Sequence, residues 1–253
     1  MVVFPNAKIN IGLNILRKRP DNYHNIQSIF YPVELHDILE VVVDNKINNF
    51  NFVNTGLKID APEEKNLVVK VFKIFKKEYN LPSVKIHLHK VIPFGAGLGG
   101  GSSDAAFMIK LLNNLFNLDL SVEKMKEYTK TIGADCSFFI ENKPAYVTGI
   151  GDKIELIDFS LQDYKIIIKK PNINLNTTKI FSLITPKENV TNLKTLINSP
   201  INEWENNITN DFEAVIFDRH KEIKELKEKF YEKGALYASM TGSGSCVFGI
   251  FDK

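Results

Sequence analysis

The chain has 253 residues, 44% of them hydrophobic, enough to bury a core that needs neither disulfides nor a structural metal. Thirty-two basic against 30 acidic residues leave a formal charge of +2, so bulk electrostatics give no reason to bind nucleic acid. Two cysteines, Cys136 and Cys246, exclude a disulfide scaffold and favour a reducing cytoplasm; no apolar run approaches the ~18 residues of a membrane span.

The opening MVVFPNAKIN lacks the basic-then-apolar pattern of a signal peptide. Residues 9–15 alternate and read as a strand. A period of two puts Lys8, Asn10, Gly12 and Asn14 on one face, which suits either the floor of a site or the solvated edge of a sheet. Next come a basic rim (Arg17, Lys18, Arg19) and then Tyr23 and His24, adjacent rings after a proline turn that can pack a heterocycle. Residues 38–43 and 84–91 are predicted strands. On the second, Val84, Ile86 and Leu88 alternate with Lys85, His87 and His89, the pattern of a half-exposed strand. His87 and His89 have no third ligand at a recognised spacing and read as a solvated face.

Between those strands, Leu67, Val68, Val71, Phe72 and Phe75 make one face of a helix over 66–79. Further helices are predicted from Ser102 to about Asn117, on the stripe Ala105, Met108, Leu111, Leu112 and Leu115, and over 121–131. Short strands should lie around 138–140 and 145–148, and a strand over 164–171 opens a second unit. Helical stretches over 204–217 and 221–233 follow, then a strand, the turn TGSGS (241–245) and a last strand. The dispersed asparagines, Asn210 among them, read as a compositional habit of loops. A soft domain boundary falls near residue 150, giving domains 1–150 and 151–244, with the strand at 245–253 free to return to the first.

The segment PFGAGLGGGSSDAA (93–106) carries five glycines in the seven positions 95–101, a composition expensive to order. Between a strand and a helix it lets backbone amides converge on one point, and the helix start adds unpaired donors and a positive dipole end. That arrangement suits phosphate oxygens; a structural tight turn and another anion site are the alternatives. Ser102 and Ser103 can add hydroxyls or cap the helix. Gly95, Gly97 and Gly100 satisfy G-x-G-x-x-G, but the polar face of the preceding strand argues against a dinucleotide fold. No GK[ST] follows, which removes the P-loop. Asp135, in TIGADCSFF, is approached past Gly133 and Ala134 and walled by Phe138 and Phe139. It is either a cap or a partly buried carboxylate needing a cation, for which Lys8 is available. The TGSGS turn could form a second backbone lip beside the glycine loop.

PNAKINIGLNIL, RPDNYHNIQSIF, PFGAGLGGGSSDAA, GADCSFF with AYVTGIGD, and MTGSGS together resemble the 4-diphosphocytidyl-2-C-methyl-D-erythritol kinase family. That family belongs to the galactokinase, homoserine kinase, mevalonate kinase and phosphomevalonate kinase (GHMP kinase) superfamily. The resemblance is dense over 5–31 and 91–152 and thin between 155 and 235. It implies a two-domain α/β (α+β) fold: an N-terminal domain like ribosomal protein S5 domain 2 and a C-terminal α/β plait. It also implies transfer of the ATP γ-phosphate, with Mg²⁺, to the 2-hydroxyl of a cytidine diphosphate-linked substrate, in non-mevalonate isoprenoid synthesis.

By the same resemblance Lys8 and Asp135 are the catalytic pair, with Asp135 taking the hydroxyl proton and Lys8 orienting the oxygen. Pro93, Gly95, Gly97, Leu98, Gly99, Gly100, Gly101, Ser102 and Ser103 hold the ATP phosphates, Asn10 lies beside the transfer site, and Tyr23 and His24 bind cytidine. Metal ligands are not implied. The expected setting is cytoplasmic, as a monomer or weak homodimer, with no nucleic-acid or membrane partner. Asp104 and Ser137 depart from many relatives, which have asparagine and proline there. A carboxylate at 104 would serve a helix start but oppose a nearby phosphate, unless Mg²⁺ relieves the conflict. The alternatives are another kinase or a diphosphate decarboxylase of the superfamily, or a noncatalytic nucleotide-binding protein.

Overall fold

Alternation over the first ninety residues becomes strands in the computed structural model, which describes residues 1–58, 62–187 and 190–253. β1 (Val2–Val3), β2 (Asn6–Lys18), β3 (His24–His36), β4 (Ile38–Val43) and β5 (Phe50–Gly56) precede helix α1 (Leu67–Tyr79) and strand β6 (Val84–Lys90). Helices α2 (Gly100–Leu115), α3 (Val122–Thr129) and α4 (Cys136–Glu141) follow, then β7 (Ala145–Thr148), β8 (Lys153–Leu156) and β9 (Tyr164–Lys169). The remainder is α5 (Thr177–Phe181), α6 (Leu193–Leu196), α7 (Phe212–Arg219), α8 (Lys221–Glu232), β10 (Tyr237–Met240) and β11 (Val247–Asp252). Two compact units interleave along the chain: Met1–Ala7, Glu34–Phe94 and Gly99–Asn142 form one, and Lys8–Val33, Gly95–Leu98 and Lys143–Lys253 the other.

In the first unit the sheet order is β1-β4-β6-β5. β5 runs parallel to β6, so the chain must cross over between them, and α1 makes that crossover. Asn66 starts α1 by accepting a hydrogen bond from the Val68 amide at 2.9 Å, and Asn80 in the left-handed region ends it. Val68, Val71, Phe72 and Phe75 are buried, as are Val84, Ile86 and Leu88 of β6. The same period of two carries Lys90 to the buried side of β6. α2 buries Ala105, Met108, Leu111 and Leu112.

Residues 138–140, expected as a strand, lie in helix α4 instead. Three apolar residues do not distinguish the two periods; what decides is the helical hydrogen bonding, closed by Asn142 in the left-handed region. The helix predicted over 204–217 is confined to α7. Asn210 and Asp211 interrupt it, because their side chains bond other strands: Asn210 donates to the carbonyls of Met240 and Gly242, and Asp211 accepts from the Ile15 amide.

The second unit holds the sheets β2-β3-β7-β8 and β10-β11-β9. β11 pairs antiparallel with β9 and β10. β2 is an edge strand by order, yet residues 6–15 are all buried, so its polar face is not solvated. Its cover is the segment before α7: the Leu13 amide donates to the Thr209 carbonyl and the Asp211 amide to the Leu13 carbonyl. Gly12, at φ +68, makes room for that cover, because a Cβ there would meet Ile208 and Leu193 side chains at 2.9 Å.

Candidate active site

Positive φ recurs at every second residue of the glycine loop, at Gly95, Gly97 and Gly99. Only glycine accepts that sequence of left-handed turns without steric cost. Within the second unit the loop is strapped on two sides. The Lys8 amide donates to the Leu98 carbonyl at 3.0 Å, and the Cys246 amide donates to the Ala96 carbonyl at 3.3 Å. The turn after β10 packs directly on Gly97: a Cβ at Gly97 would lie 1.9 Å from the Thr241 carbonyl oxygen, and one at Gly242 would lie 2.8 Å from the Gly97 Cα. The expected second backbone lip is therefore present, in backbone-to-backbone contact with the first.

Lys8 and Asn10 share the interior face of β2, as their spacing predicts. The Lys8 ammonium donates to Asn10 Oδ1 at 2.5 Å and to the Gly97 carbonyl at 3.1 Å, and stands 4.4 Å from the centre of the Phe30 ring. Thr241 Oγ1 donates to the same two oxygens, and Asn10 Nδ2 donates to Ser28 Oγ at 2.9 Å. Sequence marks Thr241 only as the start of a turn and Asn210 only as a loop asparagine, and it does not mark Ser28. Their signal is weak, a hydroxyl or amide in an apolar run, and it becomes legible only with the strand register.

In the first unit, Gly99 precedes α2 in the left-handed region, and the Ser103 amide bonds back to the Gly99 carbonyl at 2.9 Å. Ser103 Oγ is fully buried and has no hydrogen-bond partner, while open space or distant contacts surround Gly95 and Gly101. An orphaned hydroxyl at a glycine-lined helix start fits an anion with oxygens to offer. Ser102 bonds the Cys136 thiol. Asp135 stands at the N-cap of α4, half-buried, but its side chain makes no capping hydrogen bond. It does not cap α4. Asp104, the departure in the phosphate-loop helix, is buried in an ion pair with Lys90 at 2.7 Å.

Tyr23 and His24 part company. Tyr23 is 60% exposed, whereas His24 is buried and stacks on Phe181 with ring centres 5.2 Å apart. Both line a cavity of about 530 Å³ with Ile26, Ile150, Thr177 and Phe181, all in the second unit. Burial, helped by Lys18, holds His24 below its ordinary pKa, so its neutral ring can donate at one nitrogen and accept at the other. His87 and His89 both bond Thr55 Oγ1, and among the described residues no three His, Cys, Asp or Glu side chains gather as a metal site.

A model of the GHMP kinases N terminal domain matches residues 66–143, and one of the GHMP kinases C terminal domain matches residues 192–253. The 4-diphosphocytidyl-2-C-methyl-D-erythritol kinase of Parabacteroides distasonis is 50% identical over 253 residues, 100% of this chain and 92% of that protein. The chain belongs to the 4-diphosphocytidyl-2-C-methyl-D-erythritol kinase family. A second member of the family, from Bacteroides fragilis, is 49% identical over 99% of this chain and 92% of its own length. A crystal structure of a 4-(cytidine 5'-diphospho)-2C-methyl-D-erythritol kinase superposes with TM-score 0.85 at 26% identity, covering 99% of this chain and 90% of that one. The homoserine kinase of Cytophaga hutchinsonii, at TM-score 0.71 and 14% identity, shares the fold. Among the described residues no helix is long and apolar enough to cross a membrane.

Proposed function

We propose that this chain transfers the γ-phosphate of ATP to the 2-hydroxyl of 4-diphosphocytidyl-2-C-methyl-D-erythritol. The observation that carries the reading is full-length likeness: a kinase named for that substrate is 50% identical across the whole chain. Every segment of the expected constellation is also present in this sequence, from Lys8 to Thr241.

The division of labour follows from chemistry. The amides of the loop from Gly95 to Gly101, with the hydroxyls of Ser102 and Ser103, hold the triphosphate, where Pro93 and Leu98 fix the loop's course. Preorganised donors aimed at the phosphoryl oxygens stabilise the charge that develops during transfer. Asp135 accepts the proton of the acceptor hydroxyl, and Lys8, steadied by Asn10, orients the reacting oxygens. The cavity at Tyr23, His24 and Phe181 takes the cytosine, a flat ring that stacks on aromatic faces and needs one donor and one acceptor on its edge. Mg²⁺ bound with the triphosphate would supply neutralisation of phosphate charge, and no residue of this chain is assigned to it. Burial pushes the thiols of Cys136 and Cys246 up to about 12, so both are inert, in keeping with a cytoplasmic enzyme.

Turnover on an acceptor panel tests the assignment. The cytidyl substrate should be phosphorylated, and homoserine, mevalonate and acceptors stripped of cytidine should not. Replacing Phe181 with alanine should raise KM for the cytidyl substrate about tenfold with KM for ATP unchanged, the worth of one lost stacking partner. Equal turnover of acceptors without cytidine would favour another kinase of the superfamily.

A further inference from the structure

Three buried charges meet in the first unit, beside the start of α2. Asp37 (0% exposed) accepts at Oδ1 from the amides of Val91, at 2.6 Å, and Ile92, at 2.9 Å, and at Oδ2 from the ammonium of Lys90. Lys90 (1% exposed) also donates to Asp104 Oδ2 at 2.7 Å. Asp104 (3% exposed) is the fifth residue of α2, and its Oδ1 is buried without a hydrogen-bond partner. A Cβ on Gly100 would stand 3.3 Å from the Lys90 ammonium, so that glycine leaves the cation room. One ammonium thus ties the chain just ahead of the glycine loop to the helix just after it.

The charges do not balance. Two carboxylates against one ammonium leave a net −1 in a buried place unless one of them holds a proton. Asp37 distributes three donors over its two oxygens. Asp104 has one donor and an empty oxygen, so the proton goes there. Burial and the neighbouring Asp37 raise Asp104, against the pull of Lys90, to about 7, and these are the charged groups that act on it.

We propose that Asp104 is a positioning residue for the phosphate-binding helix: through Lys90 it fixes the first turns of α2, and its negative charge, when present, weakens the hold of that helix on a triphosphate. The inference rests on the assignment of ATP to the glycine loop. Protonated, the cluster is neutral and the positive end of α2 acts on the ligand alone. Ionised, the cluster sets a buried like charge against the phosphates, where little water screens it.

The test is KM for ATP and kcat of the wild type and D104N from about pH 6 to 8.5, with melting temperatures of both. Wild-type KM should rise about three- to tenfold through neutral pH, kcat changing less, as expected for a buried like charge near the ligand. D104N should keep the low KM throughout. A carboxyl raised in the folded state contributes stability at low pH that is lost as pH climbs through its folded value. D104N should therefore melt above the wild type by a margin that widens up to about pH 7. Parallel KM profiles, a D104N loss of kcat and KM together at every pH, or a melting margin indifferent to pH would each overturn the proposal. If D104N does not fold, a flat wild-type KM profile overturns it alone. A wild type that neither binds nor consumes ATP would instead overturn the kinase reading, and this inference with it.

Discussion

Replacing Asp135 with asparagine lowers kcat by about 10²- to 10⁴-fold, the usual worth of a positioned general base. Affinity for an ATP analogue, measured by direct titration, stays within about threefold, since the proposed phosphate site is built from backbone amides and hydroxyls. Asparagine separates the roles open to this residue. It preserves the volume and caps helices as well as aspartate does, so a position that mattered only to the start of α4 would be unharmed. What asparagine cannot do is accept a proton from a hydroxyl. In the structure the carboxylate stands at the N-cap of α4 and makes no capping hydrogen bond, so the start of that helix does not depend on it. A variant turning over at more than about a third of the wild-type rate would remove Asp135 as the base and leave phosphoryl transfer to alignment and charge stabilisation alone.

Glycine made the loop legible. A run of positive-φ turns is written in the sequence directly, because no other residue adopts them at low cost, and the TGSGS turn was visible for the same reason. The face of β2 bearing Lys8 and Asn10 was legible from its period of two, but its burial was not, since the segment that covers it lies some two hundred residues away. Lys90 was within reach: continuing the alternation of Val84, Ile86 and Leu88 by one step puts it inside. Once inside, it needed a counter-charge, and Asp37 and Asp104 both supply it. Tyr23 and His24 both line the cavity but differ in burial, because His24 is stacked on Phe181, a partner from a distant helix that their own sequence does not announce. Asn210 was lost among other asparagines; only tertiary pairing reveals that its amide holds the turn after β10.

Replacing Gly97 with alanine should be the most damaging single methyl in the molecule. Its left-handed φ of +78 alone costs about 1–2 kcal/mol for a residue with a Cβ. The new carbon would stand 1.9 Å from the Thr241 carbonyl oxygen and 2.7 Å from the carbonyl carbon, atoms of backbone that no rotamer change can move. Separating the two turns costs about 1–3 kcal/mol more, as overpacking does elsewhere. It also draws the Gly97 carbonyl away from the Lys8 ammonium and the Thr241 hydroxyl, which both bond it at 3.1 Å. The sum, about 2–5 kcal/mol, lowers the melting temperature by about 5–15 °C for a chain of this length. KM for ATP should rise at least about tenfold, because the amides proposed to hold the phosphates are displaced with the loop. Gly95→Ala supplies the contrast. It too has positive φ, +58, but its Cβ would meet nothing within 4 Å, so it carries the backbone strain without the collision. Equal losses in the two variants would mean that conformational strain alone governs the loop, and that its contact with the Thr241 turn does not shape the phosphate site. A Gly97→Ala loss exceeding that of Gly95→Ala by about tenfold in KM would make the paired turns one functional unit, held in register by the absence of a side chain at Gly97 and Gly242.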